Sequence, residues 1–286
     1  MHELARIRVV TDSTANLPPQ LAASRGIEVV PLQLLIDSQC YADGIDITND
    51  QFYDLLKHCK ALPTTSQPSA GEFVAVYERL LKEGADSIVS LHISHHLSGT
   101  YASAVAARAL MPKAKITVID TLSVSMGLGL LALRAVQEIE EGADHEQTVA
   151  TIERLVPNVR VLFVVDTLEY LHKGGRIGGA SALLGSLLDL KPILAIKEGI
   201  IQPVERVRTK SKALDRLMGL IAEDLPVSAR PHGAVIHGKG DHEAALLLGW
   251  LKEQYDCAQL LIGEVGPVIA THTGPGVFGV TYYCES

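Results

Sequence analysis

Four stretches of the chain gather hydroxyl, imidazole and guanidinium groups that could hold an anion or attack a carbonyl. SLHISHHLSGT (90–100) carries Ser94 among three histidines, and PTTSQPS (63–69) packs four hydroxyls and two prolines into seven residues. HTGPG (272–276) joins a histidine to two glycines, and LHKGGRIGG (171–179) presents Arg176 in a glycine-rich turn. Ser94 directly follows an apolar run and precedes a helical pattern, where backbone amides and the helix dipole favour an anion. In PTTSQPS, Ser69 reads as a helix cap, which leaves Thr65 and Ser66 for a ligand. His272 is of the residue type that changes charge near neutral pH.

Other chemistries are weaker on spacing. Ser94, His272 and Asp166 could compose a hydrolytic triad, but the chain has no G-x-S-x-G elbow to present a nucleophile. His92 and His96 are four apart, yet the interval crosses a strand-to-loop junction with no acidic or cysteine ligand nearby. His92, His95 and His96 therefore read as exposed loop residues and no metal is expected. GPGVFG (274–279) matches G-x-G-x-x-G but has too little chain after it for the helix and strand of a dinucleotide site. GLGLLA (127–132) matches loosely and falls inside a helical pattern.

The elements that must position these residues alternate. IRVVTD (7–12), IEVVPLQLLID (27–37), DSIVSLHI (86–93) and KITVID (115–120) read as strands or extended runs. Between them, Thr48 with Gln51 and Ser69 with Glu72 form capping boxes ahead of helices, and further helices are predicted over about 98–110, 126–141 and 145–156. This βα alternation predicts an open, mostly parallel sheet with helices on both faces. After VRVLFVVD (159–166) the pattern changes. KPILAIKEGIIQPVERVRT (191–209) reads as two strands joined at Glu198-Gly199, and AVIHG, AQLLIGEV and VFGVTYYC add short strands around helices at about 211–224 and 241–255. The expectation is an α/β chain of two domains: 1–158 with the parallel sheet, and 159–286 an α+β domain with a mixed or antiparallel sheet. A ligand site is expected between them, where loops leave the carboxyl ends of strands. The loops in question are TDSTAN, PTTSQPS, SHHLSGT, TLSVSMG and HTGPG.

Composition narrows the partners. The 286 residues are 47% hydrophobic with only 5% aromatic, so aliphatic side chains must fill the core. A net charge of -8 disfavours bulk attraction to nucleic acid. Neither a signal peptide nor a membrane span is read, and Cys40, Cys59, Cys257 and Cys284 lack CxxC spacing, so reduced cysteines in a cytoplasmic protein are expected.

Taken in order, VTDSTANLP, YADGIDIT, TTSQPS, LSGTYASA, IDTLSVSMGLGLL, LHKGGRIGGASALLGSLLDLKPIL, VERVRT and THTGPG span nearly the whole length, and the chain resembles the DegV family. The resemblance implies a fatty-acid-binding subunit of a bacterial fatty acid kinase, with the acyl chain between two α/β domains. It implies that Thr65, Ser94 and His272 hold the carboxylate, supported by loop residues Ser66, Gly99, Thr100, Gly274 and Gly276. It places Arg176 and Arg208 at the site mouth or at the docking surface for the kinase subunit. It also implies no cofactor besides the bound fatty acid, a separate ATP-dependent kinase as partner, and no catalysis by this chain alone. A transient membrane contact is compatible with that role. One departure from the family pattern is His95 and His96, where relatives often carry small or hydroxyl residues. Two other classes compete: a stand-alone acyl hydrolase using Ser94 and His272, and a small-molecule sensor built on the cleft.

Overall fold

The computed structural model describes residues 6–184 and 190–285. In chain order the elements are β1 (Ile7–Asp12), α1 (Pro19–Ser24), β2 (Ile27–Val30), β3 (Gln33–Ile36), β4 (Gln39–Ala42), α2 (Asn49–His58), β5 (Thr64–Ser66), α3 (Ala70–Lys82), β6 (Ser87–His92), α4 (Thr100–Leu110), β7 (Ile116–Asp120), α5 (Met126–Glu140) and α6 (His145–Leu155). There follow β8 (Arg160–Val164), α7 (Glu169–Lys173), β9 (Lys191–Lys197), β10 (Ile200–Val207), α8 (Lys210–Asp224), β11 (His232–Gly238), α9 (Asp241–Gln254), β12 (Gln259–Glu264), α10 (Pro267–Thr273) and β13 (Val277–Tyr283).

β2, β1, β6 and β7 form a parallel sheet in that order. Both of its faces are covered, as parallel sheets require. Along β1, Val10 packs with Phe73, Tyr77 and Ala104 of α3 and α4, while Val9 turns to the other face and α5. The second sheet runs β10-β9-β8-β13-β11-β12 and is mixed, with only β11 and β12 parallel. α8 and α9 cover its outer face through Leu214, Leu217, Leu247 and Leu251. Its inner face meets α5, so one helix is the layer between two sheets. Gly127 lets α5 lie against Val161 of β8, where an added Cβ would stand 2.9 Å from a valine methyl. The α/β class, the parallel first sheet and the mixed second sheet agree with the sequence reading.

Several details depart from it. IEVVPLQLLID is two strands in different sheets: the chain turns at Pro31, which lacks an amide to donate, and β3 joins a small antiparallel sheet β4-β3-β5. The middle of PTTSQPS is β5 itself, and His272 lies in the last turn of α10, so neither residue sits on an irregular loop. The stretch after the glycine-rich turn is 3-10 helix at Gly178–Leu183, and 185–189 lie outside the described residues. Both capping boxes form as read, and the hairpin turn at Glu198-Gly199 places both residues at positive φ. Among the described residues no helix is long and apolar enough to cross a membrane.

Candidate functional site

A cavity of about 710 Å³, counting its open mouth, lies between the two sheets. Its wall is overwhelmingly aliphatic. Ile93, Leu97 and Val124 come from segments after β6 and β7, Val161, Phe163 and Ile196 from the mixed sheet, and Val268 and Ile269 from α10. Thr65, Ser98, Arg176 and His272 add a polar cluster to that wall.

Local structure explains how the cluster forms. In β5, Thr65 pairs with Leu34 of β3, and strand alternation turns its side chain inward while Thr64 and Ser66 are exposed. α10 starts on Pro267, whose missing amide costs nothing at a first turn, and ends at Gly274. Gly274 has φ 72°, and a Cβ there would stand 2.3 Å from the Tyr170 ring, so only glycine fits. The helix thereby delivers His272 to Thr65, with Nε2 and Oγ1 2.9 Å apart. On its other side the ring is pressed by α7's end: a Cβ on Gly174 would lie 2.3 Å from His272 Nδ1. Arg176, two residues on, donates from Nε to Leu97 O at 3.1 Å and from Nη1 to Gly174 O at 2.8 Å. These bonds occupy two of the five N–H groups of a guanidinium.

Electrostatics fix the charge state. Burial, and secondarily the Arg176 guanidinium, push the His272 pKa down to about 4, so the imidazole is neutral at pH 7. Its Nδ1 is buried without a hydrogen-bond partner. An unpaired acceptor costs less than an unpaired N–H, which favours the tautomer with the proton on Nε2. In that tautomer Nε2–H donates to Thr65 Oγ1, and the threonine hydroxyl is left to donate outward to a ligand oxygen. The pair and Arg176 together set hydrogen-bond donors and a positive charge side by side in the wall, an arrangement able to hold an anionic group.

Not every residue singled out from the sequence is in this wall. Ser94 is fully buried; its Oγ donates to Gly199 O at 2.8 Å and accepts from His96 N at 3.2 Å. It ties the end of β6 to the β9–β10 turn, and the serine of that loop that lines the cavity is Ser98. Thr100 is buried beside Ser98, hydroxyl to hydroxyl at 2.8 Å, and Gly99 packs against Gln67, whose Nε2 would be 2.6 Å from a Cβ. Gly276, at φ 86°, turns the chain beside Asp166 and donates its amide to Gly238 O. Ser66 and Arg208 are exposed, Arg208 just beyond β10. His95 and His96 are exposed with rings 3.8 Å apart, and His95 pairs with Asp120.

His92 is the reverse of its sequence reading as an exposed loop residue. It is the last residue of β6 and wholly buried, because its strand side chain faces the interior, where polar groups meet it. Nδ1 contacts Asp12 Oδ2 at 2.9 Å, Nε2 contacts Ser90 Oγ at 2.8 Å, and Ser90 Oγ contacts Tyr77 OH at 2.8 Å. The acid, imidazole and hydroxyl are in line, but all are sealed from any substrate. Asp12 also accepts from Ile93 N and Thr14 N, so it fixes two residues of the cavity wall. The triad drawn from Ser94, His272 and Asp166 does not assemble: Ser94 binds Gly199, His272 binds Thr65, and Asp166 faces Lys210 at 3.2 Å. Ser98, Gly174 and Asp12 escaped the sequence reading, although each lies inside a quoted segment. Among the described residues no group of three or more His, Cys, Asp or Glu is set to hold a metal.

Comparison with known proteins gives one answer. The model of the DegV family, described as uncharacterised, matches residues 6–285. A DegV domain-containing protein of Deinococcus radiodurans is 40% identical over 280 residues, 96% of this chain and 97% of that one. Among solved structures, a DegV family protein from Thermus thermophilus, described for its fatty acid binding, superposes with a TM-score of 0.92 at 40% identity, covering 98% of this chain and all of that one. DegV of Bacillus subtilis, described as a fatty acid binding protein, gives 0.90 at 35% identity over 98% of this chain and all of its own. With its family model spanning nearly every residue and its two sheets superposing on those relatives, the chain belongs to the DegV family.

Proposed function

We propose that this protein binds one long-chain fatty acid in the cavity between its two sheets and presents the carboxyl group to a separate ATP-dependent kinase subunit, which would form the acyl phosphate. The observation that carries the reading is the Thr65–His272 hydrogen bond beside Arg176 in a mostly aliphatic wall. Burying ~15 methylenes at ~0.8 kcal/mol each supplies on the order of 10 kcal/mol gross. The carboxylate would be costly to bury alone, and Arg176, the Thr65 hydroxyl and the Ser98 hydroxyl offset that cost. A bound carboxylate would also raise the His272 pKa, so loading at acidic pH would draw in a proton. In this proposal Ser94, expected from the family pattern to touch the carboxylate, instead shapes the head-group end through Gly199. Arg208, exposed past β10, belongs to the docking face for the kinase.

The domain division near residue 158 remains part of the proposal, as do a cytoplasmic location and the absence of catalysis by the chain alone. The relatives described as fatty-acid-binding support the ligand class. The hydrolase alternative is disfavoured because Ser94 and His272 have different partners. The test is mass spectrometry of an organic extract together with native mass spectrometry of the purified protein. One fatty acid per chain is expected. A folded sample that neither carries nor takes up palmitate or stearate would refute the reading. Ser98→Ala is expected to weaken binding more than Ser94→Ala, and the reverse order would return Ser94 to the carboxylate.

A further inference from the structure

One buried carboxylate outside the cradle has no role in the account above. Asp43 follows β4 and is 4% exposed, and its own amide donates to Leu32 O at 2.9 Å. Neither carboxylate oxygen has a hydrogen bond of good geometry. The Ser13 hydroxyl and the Val268 amide are the donors that act on its charge. Val268 is the second residue of α10, and the N-cap before it, Gly266, contributes no side-chain cap. A Cβ on Gly266 would stand 3.6 and 3.8 Å from the two Asp43 oxygens, so the carboxylate sits against the uncapped first turn. The first amides of a helix lack partners within it and attract negative charge. The same short helix carries Val268 and Ile269 in the cavity wall and His272 five residues after its start, roughly 7–8 Å along the axis.

We infer that Asp43 is a positioning residue for the carboxylate cradle: by capping α10 from a distant segment it fixes where His272 meets Thr65 and the ligand. The inference rests on the proposed reading of the cavity as a fatty acid site.

The groups facing Asp43 are few. From the end of β1 come Asp12, itself held by His92 and Thr14, and Ser13; from α10 comes the Val268 amide. The Asn16 amide lies beside Gly266. Farther along the same groove are Asp50, paired with Lys239, and Glu264, paired with Asn49. Among the described residues lining that groove there is no lysine or arginine, so the helix amides are what meets the charge. Burial pushes the Asp43 pKa up to about 6, with Asp12 adding to the rise and the Ser13 and Val268 contacts opposing it. The cap is therefore present at pH 7 and above and lost as pH falls through about 6.

The test compares wild type with Asp43→Asn, which keeps the shape and removes the charge. Palmitate affinity is measured from pH 5.5 to 8, with unfolding midpoints alongside. Above pH 7 the variant is expected to bind about threefold to tenfold more weakly, the size of a helix-terminus charge effect. The two curves are expected to converge below about pH 6, where wild type loses the same charge. A deficit independent of pH would show a packing role only and overturn the inference, as would wild-type affinity at every pH. His272→Ala, run in parallel, separates the two readings. Undiminished affinity in that variant sinks the cradle itself, whereas its loss together with unaffected Asp43→Asn sinks only the positioning role. If Asp43→Asn does not fold, wild type suffices. Binding and protonation are reciprocal, so palmitate must lower the midpoint of the Asp43 carboxyl carbon titration by NMR. An unmoved midpoint overturns the inference.

Discussion

Replacing Gly174 with alanine perturbs the contact that aims His272 and brings the new methyl within 2.9 Å of the Tyr170 carbonyl oxygen as well. Gly174 has φ -76° and ψ -7°, an ordinary helical conformation, so alanine brings no backbone strain there. The effect is steric. The new methyl would stand 2.3 Å from His272 Nδ1, against an ordinary contact of at least 3.4 Å, so the ring must retreat by about 1 Å. Thr65 stands on the opposite, Nε2 side of the ring and is held in β5, so the ring cannot retreat straight back and must turn aside, which breaks the 2.9 Å hydrogen bond. A hydrogen bond between two neutral groups is worth ~1 kcal/mol, which is roughly fivefold in affinity. Overpacking would cost ~1–3 kcal/mol of stability. The assay is displacement of a fluorescent fatty acid analogue at pH 7.5, with urea unfolding to confirm the fold. Binding within about twofold of wild type by a folded Gly174→Ala protein would refute the argument that His272 geometry sets head-group affinity.

Other expectations follow from the same coordinates. Since burial lowers the His272 pKa from 6.5 to about 4, the unfolded chain binds the extra proton, so stability is full above pH 6.5 and falls as pH drops to about 4, by at most about 3 kcal/mol; in His272→Gln that share of the urea-unfolding pH slope should vanish. Gly274→Ala combines a left-handed φ with a clash against Tyr170 and should cost ~2–4 kcal/mol, read as a lowered thermal midpoint. His92→Ala leaves Asp12 buried without its imidazole and should destabilise by ~3–5 kcal/mol in chemical unfolding, although His92 lies outside the cavity wall.

The sequence carried the layers of this fold well and its site only partly. Strands such as IRVVTD and DSIVSLHI announce themselves because burial on both faces demands continuous apolar runs, and the capping boxes at Thr48 and Ser69 mark helix starts locally. What stayed hidden was set by distant contacts. Nothing near Gly174 in the chain says that its missing side chain makes room for a histidine 98 residues later. Nothing near His92 says that Asp12 will be its partner, so a buried polar network reads locally like a histidine-rich loop. α10 was missed for a different reason: seven residues between Gly266 and Gly274 give too little periodicity to register, and tertiary packing rather than propensity holds them helical. Ser94 and Ser98 are both serines of one loop, and only the fold decides which hydroxyl turns inward.

The helix shared by both sheets has a consequence for how this architecture can be cut or recombined. The principal apolar core runs without a break from Val9 and Leu91 through Leu128 and Leu131 of α5 to Val161, Phe163 and Ile236. Severing the chain near residue 158 would leave α5 with one sheet and strip the other of its inner cover. The two proposed domains therefore share one layer of core between them. The two halves should melt in a single transition, and any ligand of the cavity would enter through local opening around its mouth rather than by parting the halves like a book.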